Sequence, residues 1–189
     1  MKFAKLEEML VAGMLVAVSA VLWLALGRLN GLLSPLTEFS PGIDLVYLPA
    51  GFRLGIVVAF RFWGAVGIAL ANPFVFTAEL GEHALPEIVI NSLICGFVPL
   101  LSAMGASRLL GIEPQLGNLL PIDLPILAFA VSVATPLALN VSFAVFDYKP
   151  AQDIWANLSA MILGDFLGCL AVLVVMRTVI YVWRTVSRA

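Results

Sequence analysis

The chain alternates long apolar stretches with short polar interruptions. Six apolar stretches stand out, over residues 9–26, 45–60, 62–76, 88–107, 124–146 and 154–176. A helix needs about 20 apolar residues to cross the ~30 Å hydrocarbon core of a bilayer. Backbone polar groups in lipid must be satisfied within the protein, so stretches of this length read as helices. The pattern predicts an all-α, polytopic integral membrane bundle of about six transmembrane helices, forming a single domain over residues 1–189. The first interruption holds Arg28, Asn30, Ser34, Pro35, Glu38, Pro41 and Asp44. An acidic one holds Glu79, Glu82, His83 and Glu87. Later ones hold Gly111, Glu113, Pro114 and Asn118, then Asp147, Lys149, Pro150 and Asp153.

The second and third stretches are joined only by Phe60-Arg61-Phe62, so residues 45–76 form either two spans or one long tilted helix. Charge decides between them, because Lys and Arg collect on the cytoplasmic side. Six spans place Lys2, Lys5, Arg61, Arg108, Arg177, Arg184 and Arg188 on one side, and Arg28 and Lys149 on the other. Six spans with both termini cytoplasmic are therefore expected. Glu7 and Glu8 disrupt the positive region that a signal peptide requires, and the apolar run continues to Leu26, which indicates a retained first span.

Composition agrees with this pattern. Hydrophobic residues make up 62 % and charged residues 12 %, with a mean hydropathy of +1.07. A soluble domain carries about 25 % charged residues, and a disordered chain is more polar still. The net charge is −2 and no basic run exists, which argues against nucleic acid as a partner. Cys95 and Cys169 lie in apolar stretches and read as buried thiols. His83 has no metal-ligand spacing around it, and no metal or cofactor is expected. No nucleophile–base pair or phosphate loop is present, so the chain does not read as an enzyme.

Two charges lie inside apolar stretches, Arg53 and Asp165. A charge at the centre of a span costs about 2.5–3.5 kcal/mol on insertion scales, so such groups face the bundle interior and pair. Counted from the same face, both sit at intermediate depth, and an ion pair between the second and sixth spans is the economical reading. Gly51 and Gly55 flank Arg53, and Gly164 and Gly168 flank Asp165. Small residues four apart allow close helix packing.

Asn72, Asn91 and Asn140 fall in the outer halves of the third, fourth and fifth spans, with Asn157 at the start of the sixth. Intramembrane amides need partners. With Arg53 and Asp165 they are candidate walls of an outward-facing ligand cavity. Pro49 suits the first turn of a helix, which leaves residues 42–48 as a non-helical lead-in with Asp44 and Tyr47 on the cavity rim. Trp23, Tyr47, Trp63, Tyr148, Trp155, Tyr181 and Trp183 lie mostly near span ends, where an interfacial aromatic belt accounts for them.

Three segments carry a family resemblance. Residues 48–55, Leu-Pro-Ala-Gly-Phe-Arg-Leu-Gly, continuing through Arg61-Phe62-Trp63-Gly64-Ala65-Val66-Gly67, resemble the Pro-x-Gly helix start and aromatic-Gly segment of MASE-type membrane-associated sensor domains. Gly164-Asp165-Phe166-Leu167-Gly168 is similar to their Gly-Asp-x-x-Gly motif, and residues 91–110 to their Asn-containing span. The resemblance covers about residues 43–175. It implies a bacterial inner-membrane input domain with Pro49, Gly51, Gly164, Asp165 and Gly168 as signature residues. Such domains are usually fused to a histidine kinase or diguanylate cyclase and usually have eight spans. This chain ends about a dozen residues after its last apolar stretch, so the expectation is a stand-alone version acting through a separate kinase or cyclase partner. The substrate-binding subunits of energy-coupling-factor transporters are similar in size, six-span layout and outward pocket, and imply a transporter partner instead. A membrane scaffold subunit without a ligand is the third reading.

Overall fold

The computed structural model describes residues 2–40, 43–80, 85–113, 115–146 and 154–187. Glu82, His83, Asp147, Tyr148, Lys149, Pro150, Asp153 and Arg188, singled out above, lie outside the described residues, as do Pro41 and Pro114. The helices are α1 (Lys2–Thr37), α2 (Leu48–Leu80), α3 (Leu85–Leu109), α4 (Asp123–Val145) and α5 (Ile154–Val186). A short antiparallel pair, β1 (Glu38–Ser40) and β2 (Ile43–Asp44), joins α1 to α2. All five helices are long and apolar enough to cross a membrane.

Two boundaries depart from the sequence reading. Helix α1 does not stop at Leu26. It continues through Arg28, Asn30 and Pro35 to Thr37. At 36 residues and about 1.5 Å rise per residue, it outruns a hydrocarbon core, so its polar last turns lie beyond the apolar run. The reason for their helicity is a tertiary contact with Asp44, described below. Helix α5 likewise runs ten residues past Met176, to Val186.

Stretches two and three form the single element α2, with one break inside it. Arg61 has φ 50° and ψ −126°. This is the first central position of a type II′ turn, which normally belongs to glycine. A non-glycine residue held there costs about 1–3 kcal/mol. The chain folds back at this point. Gly64 packs on the Ile56 carbonyl, and a Cβ at Gly64 would lie 2.8 Å from that oxygen. In a straight helix those eight residues would be separated by about 12 Å. Tyr47 and Phe76, nearly symmetric about Arg61, line one small cavity.

The two arms of α2 contact different partners. The second arm runs beside α1 in the same direction, with Gly67 against Val16 and Ser19, and Val75 against Gly27. It runs opposite to α3, where Gly96 meets Ala65 and Ala69, and Asn72 meets Ser92. The first arm and the residues leading into it run parallel to α5, with Asp44 against Gly164, Tyr47 against Gly168 and Gly51 against Val172. Helix α4 runs opposite to α5, through Ser132 near Cys169 and Asn140 near Met161. The apolar core lies between these helices and includes Trp23, Val57, Ile68, Leu127 and Val131. Much of the remaining apolar surface, on α1 and the end of α5 especially, faces outward, as lipid-facing helices require.

Candidate functional site

Residues 43–47 are non-helical, and a non-helical backbone at membrane depth must be satisfied by protein. Helix α5 does this. The Tyr47 N–H donates to the Gly164 carbonyl at 3.0 Å, and Leu45 N–H donates to the Thr37 carbonyl at 2.8 Å. Gly164 and Gly168 lie against the carbonyl oxygens of Asp44 and Tyr47, where any Cβ would collide. Gly51 also makes a close approach, to the Gly168 carbonyl and Val172. Gly55 departs from expectation. It is exposed, and a Cβ there would meet nothing within 4 Å. The glycines of α5 therefore cradle an irregular backbone more than a second helix, and only Gly51 answers them from α2.

This seating places Arg53 against Asp165. Arg53 Nη2 donates to Asp165 Oδ2 at 2.6 Å, and the two side chains are 2 % and 9 % exposed. The guanidinium also lies 5.9 Å from the centre of the Trp23 ring, within range of a cation–π attraction. Among the described residues, Arg53 Nε has no hydrogen-bond partner. Trp23 departs from the interfacial-belt expectation. It is 1 % exposed, and its Nε1–H donates to Asn72 Oδ1 at 3.1 Å. Trp63, Trp155, Tyr181 and Trp183 are exposed, as belt residues should be.

A cavity of about 70 Å³ opens beside the pair, lined by Asp44, Tyr47, Arg53, Asn72, Cys95 and Asp165 together with apolar neighbours. Five of the seven candidate ligand residues thus meet at one cavity. Asn140 and Asn91 do not line it. Asn140 donates to the Pro136 carbonyl at 2.9 Å and approaches Met161 Sδ at 3.2 Å, a packing role within α4 and against α5. Asn91 is fully buried one turn before Cys95, and among the described residues neither of its side-chain polar atoms has a partner. Buried amides without partners are uncommon and costly. Asn157 accepts from Ser40 Oγ at 3.1 Å, tying α5 to β1.

Asp44 has a role that sequence reasoning missed. Its carboxylate accepts from Asn30 Nδ2 at 2.7 Å, Ser34 Oγ at 2.8 Å and Thr37 Oγ1 at 3.1 Å. The three donors sit at i, i+4 and i+7, one face of a helix. That spacing is present in the sequence, and it becomes a signal once α1 continues past Arg28. Asp44 therefore anchors the lead-in segment and presents a saturated carboxylate to the cavity.

The chain matches no protein-family model, no curated protein and no solved structure. The site's geometry alone bears on function. Asp44→Asn leaves one acceptor oxygen where two served three donors, and the expected loss is about 1–3 kcal/mol of stability. Gly164→Ala is expected to lose at least as much, because the Asp44 carbonyl cannot move aside without breaking the Tyr47–Gly164 hydrogen bond. Gly55→Ala, at an exposed position inside a helix with open space around it, should instead stabilise by about 0.5–1 kcal/mol. Thermal unfolding in detergent checks all three. Equal effects at Gly55 and Gly164 would overturn the assignment.

Proposed function

We propose that the chain crosses the membrane in six segments, with α2 folding back at Arg61 and both termini in the cytoplasm. The helix directions support this, since α1 and the second arm of α2 run one way and α3 the other. The excess of Lys and Arg at the end of the bundle that holds Arg61 and Arg108 supports the orientation. A bacterial inner membrane is the setting that the sensor-domain resemblance implies. A single cysteine at position 61, on a background without Cys95 and Cys169, should react with a membrane-impermeant thiol reagent only in inverted vesicles. Labelling from the outside of intact cells would refute the topology.

Within that topology the chain is a membrane ligand-binding input protein of the MASE-sensor kind, acting through a separate kinase or cyclase. One observation carries this reading. The buried Arg53–Asp165 pair lines a cavity whose walls are part polar and part apolar. A pair that only fastened two helices would be cheaper as apolar packing. Here the pair, Asn72 and Tyr47 line the cavity together, and among the described residues Arg53 Nε is a buried donor without a partner. A cavity of about 70 Å³ has room for a few atoms of a polar ligand or several waters. Ligand contact with Arg53 or Asn72 would shift the lead-in segment 43–47 and, through the Gly164–Tyr47 contact, the α5 helix that continues to the cytoplasmic end.

Native mass spectrometry of the gently solubilised protein tests this reading. The expected result is a small bound molecule, lost in Asn72→Leu, together with co-purification of a kinase or cyclase. A bound molecule accompanied by uptake into vesicles with an energising partner would favour the transporter-subunit reading instead. A bare chain with neither ligand nor signalling partner would leave a scaffold and overturn the proposal.

A further inference from the structure

A second cavity, of about 120 Å³, lies at the opposite end of the bundle. Arg61, at the fold-back of α2, and Arg108, in the last turn of α3, both line it, with Ser107 between them and the α3–α4 connection. Its floor is apolar, built from Val57, Leu100 and Met104. Glu113 sits on the wall contributed by the connection. Arg61 and Arg108 against Glu113 leave the cavity with a net charge of +1.

The backbone around this cavity is unusual. Among the described residues, positive φ occurs at Arg61, Leu116 and Gly111 only. Arg61 and Leu116 line the cavity, and Gly111 precedes Ile112, which lines it as well. Left-handed non-glycine residues persist where the surrounding structure over-determines them, and they concentrate at binding sites. The connection is itself held in shape, since the Asn118 side chain donates to the Gly111 carbonyl at 2.9 Å and accepts from Glu113 N–H at 2.8 Å. The molecule thus builds a shaped loop and a strained turn around two guanidinium groups.

We propose that this cavity binds the phosphate of an anionic phospholipid headgroup. Guanidinium groups match phosphate oxygens in geometry and charge, and Ser107 adds a hydroxyl. Basic pockets between membrane helices on the cytoplasmic side bind lipid headgroups. Charge and shape select the source. A phosphate monoester carries about −1.5 to −2 at neutral pH, and Glu113 opposes it, whereas a phosphodiester carries a single charge that matches the net +1. The apolar floor suits the glycerol and first methylenes of a lipid and offers nothing to free phosphate. The site lies away from the Arg53–Asp165 cavity; it rests on the cytoplasmic orientation proposed above for this end of the bundle and not on the ligand proposed for that cavity.

The test uses the full chain in detergent, with phosphatidylglycerol, phosphatidylcholine or inorganic phosphate added as separate probes. At about a hundred times its dissociation constant, phosphatidylglycerol should raise the apparent Tm by about 5–10 °C, and phosphatidylcholine and inorganic phosphate should not. Arg61→Gly and Arg108→Gln should each lose most of that shift, and Arg28→Gln should keep it. Arg61→Gly is the decisive variant, because glycine relaxes the φ of 50° and the fold is retained while the guanidinium is lost. Equal shifts with the two lipids, or an undiminished shift in both arginine variants, would overturn the site. An equal shift with inorganic phosphate would keep an oxyanion site and overturn its assignment to lipid.

Discussion

A guanidinium buried in a membrane bundle has to be neutralised where it lies, and this chain neutralises Arg53 with one carboxylate, Asp165, at 2.6 Å. The rest of the architecture can be read as the means of holding that contact. The first arm of α2 must run beside α5 at the level of Asp165. That approach needs Gly51 and Gly168 where the chains meet. The lead-in backbone before Pro49 must then lie along α5, which only glycine at 164 and 168 permits. Asp44 fastens the far end of that segment to the last turns of α1, and Trp23 covers the guanidinium from the same helix. Removing one partner of such a buried pair costs about 3–5 kcal/mol, because the remaining charge has no compensation.

The fold-back at Arg61 gives the bundle two unlike ends. At one end the polar groups are buried and mutually bonded: Asp44 with its three donors, Asn72 between Trp23 and Ser92, and Arg53 with Asp165. At the other end the charges are exposed and basic, and the backbone is strained at Arg61 and Leu116. The first arm of α2 is only 13 residues, from Leu48 to Phe60, about 20 Å of helix. It is shorter than a hydrocarbon core. The non-helical lead-in before it is satisfied by α5, by the end of α1 and by β1, and the cavity lies beside it.

Much of this was legible in the residues. Long apolar stretches marked the helices, since their length is dictated by the membrane. Arg53 and Asp165 could be paired from sequence because each was a lone charge inside an apolar stretch, at matching depth. What failed to show were features decided by tertiary contact. Polar residues 28–37 looked like a loop, yet Asp44 holds them helical. Trp23 looked like a belt residue because it lies near the end of an apolar run. The helix goes on past that run, so Trp23 faces the core. Gly55 matched a packing motif by spacing alone, and spacing does not say which side of the helix meets a neighbour. The lead-in resting on Gly164 and Gly168 had no local signal, because its partner is about 120 residues away in the chain.

Arg53 and Asp165 act as one unit, and a double-mutant cycle measures their coupling. Reversible unfolding in mixed detergent would be followed for the unmodified chain, Arg53→Gln, Asp165→Asn and the double variant. If each charge is buried against the other, the double variant loses less than the sum of the two single losses, by about 2 kcal/mol or more. Single losses that add to within about 0.5 kcal/mol would mean that the two groups do not depend on each other, and the account built on their contact would be wrong.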